Sequence, residues 1–296
     1  MEKENFNDLF EKKEYPDVKK EFNKDEWKQR KNQERSDVFN MLEEATNEIA
    51  QSPDAFINYL NIQSIFDRYS VGNCLLIAKQ NPNAIKLNDY DGWKEKGVQV
   101  QKGESAILIL EPGQEYSKEN GSVGVNMNVK RLFDISQTSS ANEEVSLHTH
   151  PIRSLLKALM EQSPVDIRIA EDLRECVTGA YSKDENCILI RKDLSGDDIF
   201  KTLAFEIITL NDNEKGESNS YLANVTSYVL CRRYGLNTES FNFSNCAEYF
   251  KNKSPKEIRT DLDKVRSTAN SMSNTIEQSF ERIQRARHQN RANTRE

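Results

Sequence analysis

The sequence predicts an α+β chain of two domains closed by a long C-terminal amphipathic helix. Three observations predict it. Apolar residues recur at three- and four-residue spacing from Asp37 to about Gln80, then give way to short apolar runs bounded by glycine turns. The same switch returns after a polar stretch, where "DIRIA", "GAY" and "NCILIRKD" read as short strands among helical segments. From Ser254 a three-four spacing then runs unbroken to Ile283. A chain of 296 residues has room for two domains with separate cores.

Residues 1–36 alternate lysine and glutamate with few apolar side chains, the composition of a charged arm that is either flexible or loosely helical. A first domain over residues 37–138 opens with Phe39, Leu42, Ala45 and Ile49 on one helical face. "SPDAF" restarts a helix, since Ser52 can cap and Pro53 suits the first turn. "NCLLIAK" is a further apolar helix, stopped before Pro82. "AILIL" and "NVKRLFDI" read as antiparallel strands joined through the Asn120-Gly121 turn. Residues 139–151 form a polar linker and residues 152–252 a second domain. Within it, Ile152 to Met160 is helical, Ser195 with Asp198 opens another helix, and Gly235 stops a third. Residues 253–296 form the amphipathic helix, begun by "SPKE" and ending in the basic tail "RIQRARHQNRANTR".

Composition narrows the function. The net charge of −7 argues against a wholly basic nucleic-acid surface but leaves room for a local groove. Residues 1–49 carry 10 basic and 14 acidic side chains, whereas residues 252–296 carry 10 and 6. No window reads as a membrane span, and the N-terminus lacks the apolar run of a secretory signal. Five scattered cysteines with no C-x-x-C pair fit a reducing, cytoplasmic setting. No cofactor motif is present: neither a phosphate loop nor G-x-S-x-G occurs.

Candidate chemistry centres on two stretches. In "TLAFEIITL" a glutamate interrupts a buried helix. A zinc-protease helix places two histidines four apart on one face, with a glutamate beside the first as general base. Here the frame reads Phe205-Glu206-Ile207-Ile208-Thr209, so the glutamate stays while both ligand positions are lost. His148 and His150 share a strand-like spacing, but two histidines do not complete a zinc site. The expectation is no metal and no catalytic residue. The second stretch runs from Tyr69 to Arg131, where aromatic faces that stack bases accompany cations for phosphates. Tyr69 and Trp93 are the candidate platforms. Lys79, Lys102, Lys130 and Arg131 are the candidate phosphate contacts. Asn73 and Gln80 either touch DNA or hold turns by side-chain to backbone hydrogen bonds.

Order and spacing of these residues add a resemblance. Tyr69-Ser70-x-x-Asn73, Gln80-x-Pro82-x-Ala84, Trp93, Lys102-Gly103-Glu104-x-Ala106-Ile107 and the closing "LFDISQT" resemble the N-terminal domain of ArdC-type antirestriction proteins. The match spans nearly all of residues 37–138. It implies binding of single-stranded DNA and carriage on a conjugative plasmid or transposon. The second half is similar to that family's zincin-like metallopeptidase domain. There "GAYSKDENCILI" matches its Gly-aromatic turn and strand, and "TLAFEIITL" stands at the zinc helix. "LANVTSYVLCRRYGL" matches the helix that brings a third, glutamate ligand, at the position of Asn224. The resemblance therefore implies a metallopeptidase-like domain without its ligands. Two other readings stay open. One is a protein-interaction scaffold using the second domain or the C-terminal helix, and the other a metallopeptidase with unusual ligands.

Overall fold

The computed structural model describes residues 23–117, 121–141, 150–174, 177–214, 216 and 219–293. The Lys/Glu arm before Asn23, His148, Asn120 and the last three residues of the tail lie outside them.

The first helix, α1, spans Lys24–Ile49 and so begins well before the apolar pattern that marks Asp37. Of the two states open for the charged arm, the part from Lys24 onward is helical. Asn23 caps the helix by accepting from the Asp25 and Glu26 N–H groups, and those two acids favour its positive end. Its buried face is Val38, Leu42, Ala45 and Ile49, while Phe39 is 40% exposed. Helix α2, Pro53–Ile65, starts at the Ser52 cap with proline in its first turn. Helix α3, Val71–Gln80, is capped by Ser70 and packs between α1 and α2.

A three-stranded antiparallel sheet follows, in the order β1, β3, β2. Strand β1 is Leu87–Asn88, and a short helix α4, Tyr90–Glu95, hangs from the Asp89 cap. Strands β2, Ile107–Ser117, and β3, Val123–Asp134, form a long hairpin with Ile107 opposite Leu132 and a register shift between Pro112 and Glu115. The buried Asp134 closes this unit. Its carboxylate accepts from the Ile85 and Lys86 N–H groups at 2.8 and 2.9 Å and from Ser136, while Gln137 accepts from the Asp134 N–H. "LFDISQT" is thus a capping box at a 3₁₀ turn, Ile135–Gln137.

The second unit begins with helix α5, Ile152–Met160. Its sheet is β4, Asp166–Ala170, β5, Gly179–Ser182, and β6, Cys187–Arg191. Strand β6 lies central, parallel to β4 and antiparallel to β5. Helices α6, Gly196–Glu214, and α7, Ser220–Arg233, pack on each other, followed by α8, Cys246–Phe250. Gly235 ends α7 in the left-handed region, at φ 68°.

Helix α9, Pro255–Asn293, packs across both units. Ile258, Leu262, Val265, Ala269, Met272, Ile276 and Phe280 are buried against α1, α3, α5 and α7. One hydrophobic cluster therefore replaces the two separate cores. Polar ties cross the same seam: Arg233 donates to Ser64 O and Ser273, Tyr228 to Asn61, and Asn270 to Asp67 O. No helix of the described residues is long and apolar enough to cross a membrane.

Candidate functional site

The seam between α3 and β2 accounts for Asn73 and Gln80. Strand β2 is an edge, so Leu108 and Leu110 turn backbone groups away from β3 and need partners elsewhere. The Asn73 amide donates to Leu110 O at 2.8 Å and accepts from Leu110 N at 3.0 Å. Gln80, two helical turns on, does the same to Leu108 at 2.9 and 2.8 Å. The two side chains imitate a fourth strand and seal the edge. Of the two roles open from the sequence, holding backbone is the one this geometry fills.

Trp93 is corrected as a stacking platform. Its side chain is 1% exposed, with the indole N–H donating to Phe133 O at 2.8 Å. Lys86 and Lys96 stand 6.0 and 5.5 Å from the ring. A base has no way onto that face. Tyr69 is half-buried, edge-on to Phe66, and senses the charges of Lys130 and Asp89; burial chiefly raises its pKa. Tyr90, next in the chain to Asp89, is exposed.

Three of the four predicted phosphate contacts already have carboxylate partners. Lys79 pairs with Glu48, and Lys130 lies 3.3 Å from Asp89 and 3.8 Å from Glu111. The Asp89 hydrogen bond holds the Lys130 ammonium above its ordinary range. Arg131 pairs with Glu34 of α1. Lys102 is exposed in the turn made by Gly103, at φ 96°. Lys130 and Arg131 are neighbours on β3, so they face opposite sides of the hairpin. One bound strand cannot meet both as a pair.

On the Arg131 side, α1 runs beside the hairpin and leaves a cleft of about 420 Å³. Trp27, Lys28, Lys31 and Arg35 line one wall, Met127 and Val129 the other. Reading residues 1–36 as an arm missed it. The available signal was Trp27, Lys31 and Glu34, which extend the Val38 face upward at helical spacing.

In the second unit, Phe205, Glu206 and Asn224 line a cleft of about 290 Å³ with Gly179, Lys201 and Thr202. Helix α6 and the edge strand β5 form its sides. Glu206 is 9% exposed; burial raises its pKa, partly offset by the Tyr181 backbone N–H it accepts. Lys201 is lowered by burial, donates to Ser240 at 2.7 Å and sits 4.3 Å from the Phe241 ring. Thr209, one turn beyond Phe205, keeps a buried hydroxyl with no partner among the described residues. A phenyl ring, an amide and an isolated hydroxyl do not make a divalent-metal donor set around one carboxylate. His150 stacks on Phe280 at 4.2 Å and lies 3.6 Å from Glu277, a packing role. Among the described residues no three His, Cys, Asp or Glu side chains converge.

No family model matches the chain. It is similar to the uncharacterized protein pXO2-81 of Bacillus anthracis, 26% identical over 299 aligned residues, or 81% of this chain. The match takes in 51% of that relative, so the chain spans about half its length. Among solved structures it is similar to the antirestriction ArdC protein from the R388 plasmid. The metal-free form gives a TM-score of 0.53 at 17% identity, covering 81% of this chain and 97% of that one. The Mn(II)-bound form gives 0.51 at 19% identity with the same coverage. The chain has the ArdC fold.

Proposed function

We propose that the protein is a single-stranded DNA-binding, antirestriction-related protein of a mobile genetic element, working in the cytoplasm. Its second unit is a metal-free, catalytically inactive relative of a metallopeptidase domain, kept as a scaffold. The observation that carries this reading is the ArdC fold, shared with an antirestriction protein of a plasmid, around a cleft where Glu206 is the one carboxylate among the described lining residues. Buried free thiols at Cys74, Cys187, Cys231 and Cys246 suit a reducing compartment. The apolar stripe of α9 is consumed inside the molecule through Phe280, which leaves a scaffold reading little surface there.

The test uses the full chain, because its core is continuous. Fluorescence anisotropy with labelled single- and double-stranded oligonucleotides at several salt concentrations should show preference for the single strand. Affinity should fall with salt, at about 0.7 log units per log unit for each phosphate contacted. Elemental analysis of the same preparation covers the enzyme question: stoichiometric zinc or manganese would overturn the inactive second unit.

A further inference from the structure

We infer that the α6–β5 cleft of the second unit binds a single unpaired guanine base, stacked on Phe205 and read by Glu206 and Asn224. The inference goes beyond the DNA-binding reading, because it gives the inactive second unit a ligand of its own. The guanine is one base of a single strand or a free nucleotide, since both present the same edge. Helix α6 turns two rows toward the cleft, Lys201 with Phe205 and Thr202 with Glu206, each pair four residues apart. Gly179 lets β5 close on that helix, since a Cβ there would lie 2.5 Å from Thr202 Cγ2. At this close approach Glu206 accepts the Tyr181 N–H. That bond spends a donor that an added peptide strand would need on β5, so the cleft suits a compact ring better than an extended chain.

Glu206 is buried with that one N–H for its two oxygens, and a buried carboxylate gains from every further donor. Asn224 of α7 lines the same cleft, and its amide has no hydrogen-bond partner among the described residues. Guanine supplies what these groups lack. Its N1–H and N2–H₂ are adjacent donors matched to the two oxygens of a carboxylate, and O6 beside them accepts from an amide N–H. The other bases place an acceptor next to their donor on that edge, and a carboxylate repels it. Phe205 is part-buried in the cleft lining with no ring partner among the described residues, an apolar face on which an unpaired base stacks. The volume of about 290 Å³ lies at the small end of ligand clefts, which begin at about 300 Å³, and fits one base with its sugar and phosphate outside.

The experiment is calorimetric titration of the full chain with guanosine, adenosine and cytidine 5′-monophosphates, the melting temperature of each variant being checked first. GMP should bind about tenfold or more tightly than the other two, the discrimination of one bidentate pair. Glu206→Gln keeps an oxygen for the Tyr181 N–H; it should weaken GMP about tenfold and move the preference toward AMP, because a glutamine amide pairs with adenine. Phe205→Leu should weaken all three nucleotides alike, by about tenfold, as a stacking face is lost. Anisotropy with labelled oligo(dT), with and without one central dG, separates the two sources. A gain from dG that Glu206→Gln removes places the base in a strand, and GMP binding without that gain places it in a free nucleotide. Equal binding of the three nucleotides, or no GMP binding at millimolar concentration, overturns the base site. Oligo(dT) binding that persists in that case leaves the DNA-binding reading standing, and its absence at low salt overturns both. Uptake of a short unstructured peptide that Glu206→Gln abolishes, without GMP binding, assigns the cleft to a peptide and likewise overturns the base site.

Discussion

The α3–β2 seam and the α6–β5 cleft treat polar side chains in opposite ways. At the seam, Asn73 and Gln80 each donate to and accept from one strand residue, and elsewhere on the same sheet the Trp93 N–H of α4 is matched to a β3 carbonyl. In the cleft, Glu206 has one backbone N–H against its burial, and one turn further along α6 the buried Thr209 hydroxyl has no partner among the described residues. A buried polar group that is fully matched specifies structure, because removing it strands its partner. One that is under-matched is costly to the fold and marks a place shaped by something other than packing. The seam is therefore a structural device, and the α6 side of the cleft is the place where polar groups are under-matched.

The sharpest way to break this contrast is Trp93→Ala. Loss of a buried indole and its hydrogen bond should destabilise the protein by about 3–5 kcal/mol, read from urea unfolding. Oligonucleotide affinity of the folded fraction should be unchanged. A variant of normal stability that no longer binds DNA would return Trp93 to the role of platform.

A smaller effect is expected at the clamp. Asn73→Ala or Gln80→Ala leaves one N–H and one C=O of the β2 edge unpaired, at a cost of about 1–3 kcal/mol each. The double variant should cost less than the two singles added, since both side chains hold the same strand. Strict additivity, measured by the same unfolding curves, would mean that the two amides act independently and that β2 is not held as a unit.

These residues also show what the sequence could reveal. The elements were legible because period and caps agree: Ser52 and Ser254 cap where expected, and the hairpin pairs as the two apolar runs suggest. Side-chain roles were not. Ser70, Asn73, Gln80, Trp93, Asp134 and Gln137 carry the family resemblance, yet each ties down backbone, so the motif reports the fold rather than contacts with DNA. Composition cannot tell a tryptophan bracketed by polar residues from one covered by a neighbouring strand. The start of α1 was hidden for a related reason. Its Lys24 to Arg35 stretch has five cations and three acids and little apolar surface, and it is held by the hairpin through Glu34 and Arg131. Those partners are nearly a hundred residues apart, beyond the reach of any local pattern.

The smallest effect, and the one that sharpens the cleft, belongs to Glu206→Gln. Burial raises the Glu206 pKa, so the folded protein holds this proton more tightly than the unfolded chain does. As pH climbs past the ordinary carboxylate range, the unfolded chain releases its proton first, and Glu206 subtracts from stability until its own raised pKa is passed. Glutamine keeps an oxygen for the Tyr181 N–H and removes the charge. The variant should match wild type at pH below the ordinary carboxylate range and exceed it at neutral pH, by less than about 1 kcal/mol, the scale of one hydrogen bond. Unfolding midpoints at a series of pH values isolate this term, because every other titrating group is common to both proteins. A difference that stays constant with pH would mean that Glu206 is solvated in both states, and that the cleft is an open surface with no trace of a buried site.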